Sequence, residues 1–202
     1  LKQSLGENLK PAEEDYFKFI YNSSNRLLRT VDSIINLSQL EAGTLQLDLK
    51  LHHLGQLIHL LCEKLTPEAT EKGLKLDCRL LTDDDETWFD QHSIYHSIHN
   101  ILQNAIKYTD EGSITVQLER MNGKLQLTFT DTGIGISDEY RQRMFQVFSQ
   151  ESEGMEKDYQ GIGLGLALTK RYLDMNHVKI GVDSEKGSGS TFTLIFPNHS
   201  GK

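Results

Sequence analysis

The stretch "KLQLTFTDTGIGI", residues 124–136, decides how this chain is read. Its first eight residues alternate apolar and polar, as a strand with one buried face does. The alternation runs straight into Asp131 and then two glycines, Gly133 and Gly135. An aspartate at a strand end can accept a hydrogen bond from an adenine exocyclic amine. Glycines beside it let the backbone approach a base. Alone, the same residues also describe an ordinary glycine turn after a strand.

Upstream, "SITVQLER" (113–120) alternates in the same way and is joined to 124–131 by "MNG", a good hairpin turn. Before it, Gln91 to Tyr108 reads as a helix. On one face of that helix Asn100 and Asn104 stand four apart, with Lys107 and Tyr108 three and four further on. An amide oxygen can ligate Mg²⁺, which keeps most of its waters and takes few protein ligands. A lysine one turn on can meet a phosphate, and a tyrosine beside it can cover an adenine ring. By itself this is also a solvated helix face. Downstream, "YQGIGLGLALT" (159–169) sets Gly161, Gly163 and Gly165 before an apolar helix whose first amides could hold phosphates. It is neither G-x-G-x-x-G, since Leu166 takes the last position, nor a P-loop, which no stretch of the chain supplies.

The rest of the pattern is mixed. Residues 11–42 read as one long amphipathic helix, with Pro11 in its first turn and Gly43 as its stop. Phe17, Ile20, Leu27, Val31 and Ile34 form its apolar stripe, widened by Leu28 and Ile35, and that stripe needs a partner helix. Strands are expected at 45–51, 74–80, 179–184 and 190–196. Helices are expected at 54–72, from Ser137 through Phe145, and at 164–175. Residues 82–86 read as a charged solvated loop, 146–160 as polar and irregular, and His52 and His53 as strand-end surface residues. This order is an α+β arrangement: a two-layer α/β sandwich preceded by a helical appendage.

Composition agrees with a globular domain: 37% hydrophobic and 25% charged residues over 202 positions. A net charge of -8 argues against non-specific nucleic-acid binding. No apolar run reaches membrane-spanning length and no signal peptide is visible. Cys62 and Cys78 have no C-x-x-C partner and read as reduced thiols. The chain starts at Leu1 in mid-pattern, so it is expected to be a piece of something longer.

Together these segments resemble the ATP-binding domain of sensor histidine kinases, in the Bergerat-fold superfamily with gyrase, the heat-shock chaperone ATPases and the mismatch-repair ATPases. "HNILQNAIKYT" (99–109) looks like the N box, "DTGIGI" the G1 box, "MFQVFSQ" (144–150) the F box, "GIGLGLAL" (161–168) the G2 box and "GSGSTFTLIFP" (187–197) the G3 segment. The resemblance covers about residues 45–197 in the right order. The 11–43 helix, ending "LSQLEAG", resembles the second helix of the kinase dimerisation hairpin, and residues 1–5 the tail of the first. This implies two domains, a partial hairpin over 1–44 and a catalytic ATP-binding domain over 45–202. The fold implied is a mixed sheet with helices on one face.

The resemblance implies roles residue by residue. Asn104 would ligate Mg²⁺, with Asn100 assisting directly or through water. Lys107 would contact phosphate and Tyr108 would line the base. Asp131 would bind the adenine amine, in a pocket shaped by Gly133, Gly135 and Ile136. Residues 146–163 would form a mobile ATP lid, anchored at its start by Phe145 and Phe148. Gly161, Gly163, Leu164, Gly165 and Leu166 would lie along the phosphates, and Thr191 would help Asp131 hold adenine through water. ATP, with ADP as product, and Mg²⁺ are the implied cofactors. The implied partners are a response regulator receiver domain and a second copy through the hairpin. A cytoplasmic location follows, whether or not the parent is membrane-anchored.

Two departures stand out. Some members carry Arg, placed near the terminal phosphate, where this chain has Gln150. None of the eight histidines (52, 53, 59, 92, 96, 99, 177, 199) has the phosphoacceptor context of an acidic residue followed by Arg/Lys-Thr-Pro. No acceptor histidine is therefore assigned, and autophosphorylation is not expected of this chain alone. His92, His96 and His99 share a helix face at a spacing zinc can use, but lack an H-E-x-x-H glutamate or a nearby cysteine. Two other functions fit the motifs. An ATP-hydrolysing machine would place Glu where Asn100 stands. A non-catalytic nucleotide-binding or interaction module would not need Asn104, Asp131 and the glycines intact.

Overall fold

The structure is a computed structural model and describes residues 11–151 and 163–198. The chain divides into two compact units at Thr44/Leu45. The first is α1, Pro11–Glu41. It ends where Gly43 turns into the left-handed region at φ 63° and Thr44 N–H returns to the Gln39 carbonyl at 3.1 Å. The stripe from Phe17 to Ile35 is exposed along it.

The second unit runs β1 (Leu49–His53), α2 (Leu54–Glu71), β2 (Lys75–Leu80), β3 (Glu86–Asp90), α3 (Gln91–Tyr108), β4 (Ser113–Met121), β5 (Lys124–Asp131), α4 (Asp138–Arg143), α5 (Gly165–Met175), β6 (Lys179–Glu185) and β7 (Gly189–Ile195). β1 and β3 form an antiparallel ribbon. The other five strands form one mixed sheet in the order β2-β4-β5-β7-β6, with β2 and β4 parallel and the remaining pairs antiparallel. One face is apolar: Ile114, Val116 and Leu118, then Leu125, Leu127 and Phe129, then Phe192 and Leu194, all buried. α2, α3 and α5 supply the second layer, through residues such as Ile58, Leu61, Ile98, Leu102 and Leu173. The opposite face carries half-exposed Thr115, Gln117, Gln126, Thr128 and Thr193. No helix among the described residues is long and apolar enough to cross a membrane.

Two expectations are corrected. The first strand lies at 49–53 rather than 45–51, because pairing, not alternation, sets its ends: Leu49 faces Asp90 and His53 faces Glu86. Its partner β3 was not expected at all. It has five residues and directly follows the acidic run.

That run is also more than a solvated loop. The Asp85 carboxylate accepts from Gly55 N–H at 2.9 Å and from His53 Nδ1 at 2.8 Å, and its carbonyl accepts from Leu54 N–H. It thus caps α2, whose own N-cap residue, His53, makes no side-chain cap. The hydrogen bond to Asp85 holds the His53 imidazole above its ordinary pKa. Asp84 pairs with Arg120 Nε at 2.9 Å. Cys62 is buried and Cys78 half-buried, and both are free thiols. Their mutual interaction raises the pKa of the Cys62 thiol and lowers that of Cys78.

One buried amide joins three elements. Asn176, after α5, accepts from Asp90 N–H at 2.8 Å and donates to Ser93 Oγ at 2.8 Å and the Tyr172 carbonyl at 2.7 Å. Asp90 in turn caps α3 through Ser93 N–H. Asn176→Leu would take the acceptor from the Asp90 N–H and leave the Ser93 hydroxyl only its bond to the Asp90 carbonyl, a loss of about 2 kcal/mol. Urea unfolding should show a lower midpoint with an unchanged slope. A loss below about 1 kcal/mol would mean the network is replaceable.

Candidate nucleotide-binding site

The register of the sheet sets the site. β5 points Leu125, Leu127 and Phe129 into the core, and the same two-residue period points Asp131 inward after them. Across the sheet the row Val116, Phe129, Phe192, Val182 is apolar. The next row is Ile114, Asp131, Ser190, Ser184. The apolar layer therefore ends in a polar corner.

Asp131 is 9% exposed. Its Oδ1 accepts from Gly133 N–H at 2.9 Å and Ser190 N–H at 3.2 Å, while Oδ2 accepts nothing among the described residues. Burial pushes its carboxyl above the ordinary range, and the two N–H groups oppose that shift without cancelling it.

The loop after Asp131 is stitched to its surroundings. Ile134 N–H donates to the Tyr108 carbonyl at 3.1 Å and Gly187 N–H to the Ile134 carbonyl at 2.8 Å. Ile136 N–H donates to Ser184 Oγ at 2.8 Å, and that hydroxyl reaches Ser190 Oγ at 3.0 Å. Gly133 lies against the Tyr108 carbonyl and Thr109 Oγ1. Gly135 takes φ 65°, and a Cβ there would strike the Glu185 carbonyl, so both backbone shape and space demand glycine.

Beside this loop runs the polar face of α3. Asn104 is half-buried and its amide makes no hydrogen bond among the described residues. Lys107 Nζ lies 4.8 Å from the centre of the exposed Tyr108 ring. Asn100 is committed elsewhere: its Nδ2 donates to Thr169 Oγ1 on α5 at 3.0 Å, and its Oδ1 rests against Gly165. α5 starts at Gly165 with no side-chain cap and no acidic residue in its first turn, so its leading amides are open to an acceptor.

Several expected residues sit differently. Thr191 faces away from Asp131: it pairs with Thr130 on the outer face, where the two hydroxyls are 3.3 Å apart. Ser190 is the residue beside the carboxylate. The alternation of "STFTLIF" already contained this, since Phe192 and Leu194 inward require Ser190 inward. Phe145 does pack against the core, whereas Phe148 is 66% exposed, holds φ 61° and is not part of the core among the described residues.

Leu164 is buried and Leu166 and Ile136 pack on the core, which leaves their backbone rather than their side chains for a ligand. Gly163, at φ 73°, passes close to the Ser149 carbonyl. Gly161 and most of the expected lid lie outside the described residues.

Glu151 was missed. It accepts from Ser137 N–H and Lys186 Nζ, each at 2.9 Å. Burial alone would raise its carboxyl, but those bonds outweigh it and hold it below the ordinary range. Among the described residues no cluster of three or more His, Cys, Asp and Glu is arranged to hold a metal. A shallow cavity lined by Leu51, Trp88, Arg120 and Pro197 shares no residue with the Asp131 corner.

Residues 89–200 match the family described as histidine kinase-, DNA gyrase B-, and HSP90-like ATPase. The chain belongs to that family. Its relatives place it further. It is 35% identical over 200 residues to the circadian input-output histidine kinase CikA of Thermosynechococcus vestitus, covering 98% of this chain and 27% of that protein. It is 34% identical over 192 residues to the sensor histidine kinase GacS of Pseudomonas protegens, covering 92% and 21%.

ShkA, solved full-length with AMPPNP, superposes with a TM-score of 0.79 at 25% identity, over 95% of this chain and 40% of that one. The Acinetobacter baumannii histidine kinase AdeS has the same fold, with a TM-score of 0.76 at 22% identity over 95% and 88%. The chain thus carries a histidine kinase ATP-binding catalytic domain, and spans about a quarter of the length of the curated relatives it matches.

The raised Asp131 carboxyl has a stability consequence for this ATPase domain. A carboxyl with a folded pKa above its unfolded value favours folding most below the unfolded value. That contribution is lost as pH rises through the folded value. Asp131→Asn removes the charge and keeps an acceptor for both N–H groups. Relative to the parent, the variant should therefore gain stability from acidic to neutral pH. Urea midpoints of the nucleotide-free proteins at both ends of the range check this. A gap that stays constant would contradict it.

Proposed function

We propose that this domain binds Mg·ATP and donates the γ-phosphoryl group to a histidine on a dimerisation helix, for relay to an aspartate of a response regulator receiver domain. The carrying observation is Asp131, a buried carboxylate with one oxygen held by backbone N–H groups and the other without a partner among the described residues. No cation among the described residues offsets it, so the fitting ligand is a neutral N–H donor such as the adenine amine.

The chain's other groups extend from that corner. Tyr108 would cover the base. Lys107 and the leading amides of α5, from Gly163 to Leu166, would meet the phosphates. The Asn104 amide oxygen is a hard donor that makes no hydrogen bond among the described residues, which suits Mg²⁺. When bound, the metal would neutralise phosphate charge. The residues would act by positioning and by excluding water from the terminal phosphate. α1, with its exposed Leu27, Val31 and Ile34, would pair with the first hairpin helix and with a second copy.

Phosphoryl transfer is favoured over hydrolysis by Asn100. A carboxamide is no base for activating water, and this one is already bonded to Thr169.

Calorimetry with AMPPNP and Mg²⁺ tests the site. Asp131→Asn should lower affinity at least about a hundredfold, because a buried carboxylate acceptor is replaced by an amide that also presents donors. Thr191→Val, on the other face of the sheet, should stay within about twofold, under 0.5 kcal/mol. Unchanged binding in the first variant would remove Asp131 from the adenine site. A large loss in the second would return Thr191 to it. Transfer itself is read by mixing the chain with ATP and a separate acceptor helix pair and assaying for acid-labile phosphohistidine.

A further inference from the structure

The last turn of α3, which carries Lys107 and Tyr108, is closed by a side chain from another helix. α3 has no backbone C-cap: Thr109 leaves it in an extended conformation, at φ -107° and ψ 117°. Its final carbonyls instead meet Lys72, the residue after α2. Lys72 Nζ donates to the carbonyls of Ile106 at 2.9 Å, Lys107 at 2.8 Å and Thr109 at 2.7 Å, and lies 3.5 Å from the Asp110 carboxylate. An ammonium has three N–H groups, and here there are three carbonyl acceptors.

The local sequence aims this side chain. α2 ends at Lys72–Gly73, where Gly73 takes φ 77° and Leu74 N–H returns to the Ala69 carbonyl at 2.8 Å. That turn brings the C-terminal ends of α2 and α3 together, each at the negative end of its dipole. One cation between them offsets both.

The carbonyl of Tyr108, next to those held by Lys72, accepts from Ile134 N–H, and Gly133 lies against it. The end of α3 is thus the back wall of the Asp131 loop. We propose that Lys72, outside every glycine and asparagine motif of the chain, is a positioning residue of the nucleotide site. It fixes Lys107 and Tyr108 and, through the Tyr108 carbonyl, the loop that presents Asp131. This rests on the reading of Asp131 as the adenine acceptor.

The test uses the 202-residue chain with ADP as probe. Lys72→Met keeps the aliphatic stem and removes the three donors. It should weaken ADP binding about tenfold, roughly 1.4 kcal/mol. Amide hydrogen exchange should quicken at Ile134 and leave Phe129 and Leu194 in the sheet unchanged. Affinity within about twofold of the parent would overturn the proposal. So would exchange rising equally at Ile134 and Leu194, which marks a general loss of stability. Should Lys72→Met not fold, Lys72→Arg reports the same contrast, since a planar guanidinium cannot aim three N–H groups at three converging carbonyls. Asp131→Asn runs alongside. ADP binding preserved there defeats the nucleotide reading, while the exchange pattern at Ile134 still decides whether Lys72 holds the loop.

Discussion

The structure turns on a carboxylate in a place the sheet reserves for a hydrophobe. Asp131 continues the inward series of Leu125, Leu127 and Phe129, and burying a charge there costs several kcal/mol unless it is compensated. Compensation is partial. Gly133 and Ser190 supply N–H groups to one oxygen, and no cation among the described residues supports the other. Much of the surrounding backbone follows from this. The loop must double back for Gly133 to reach its own aspartate. The β6–β7 turn must come close enough for Ser190 to do the same, and glycines stand where the two segments touch. A cation would have neutralised the site. Its absence among the described residues leaves an acceptor suited to an uncharged donor.

The same chain, at net charge -8, must also receive a polyanion, so local dipoles have to overcome the global charge. The two short helices flanking the corner show how. α4 is closed at its start: Ser137 caps it through Tyr140 N–H, and Asp138 and Glu139 fill its first turn. α5 begins with Leu164 and Gly165, with neither a side-chain cap nor an acidic residue. One N-terminus repels anions and the other leaves its amides for them. Gly165 adds a steric condition, since only a missing side chain lets Asn100 lie against the helix start.

What was legible in the sequence divides along a physical line. α3 and the β4–β5 hairpin follow from period and turn chemistry, and their ends agree with the reading to within a residue. The family follows from residue types in order. Most of the failures involve partners distant in the chain. β3 exists because β1 lies opposite it, and five residues after "DDD" carry no period of their own. Asp85 reads as solvent-facing until the uncapped start of α2 is placed beside it. Lys72 and Asn176 look like an ordinary surface lysine and a turn residue until three acceptors and three elements converge on them. Thr191 is a different error. A motif was carried over by residue type where the strand's own alternation assigned the neighbouring position to the pocket.

Asn100 shows how that geometry bears on chemistry. It and Asn104 are one turn apart on α3 and look equivalent in the sequence. The structure separates them: Asn100 is bonded to Thr169 and holds α3 to α5, while the Asn104 amide is left without a hydrogen bond among the described residues. A glutamate at position 100 could serve as a base for water, at the point where α5 presents its amides. An amide fixed to a threonine cannot remove a proton, and its bond to Thr169 ties the start of α5 to α3. The substitution that denies water a base thus also stiffens the site. An ATP-binding domain that keeps its nucleotide intact benefits from both, since water without a base cannot readily spend it.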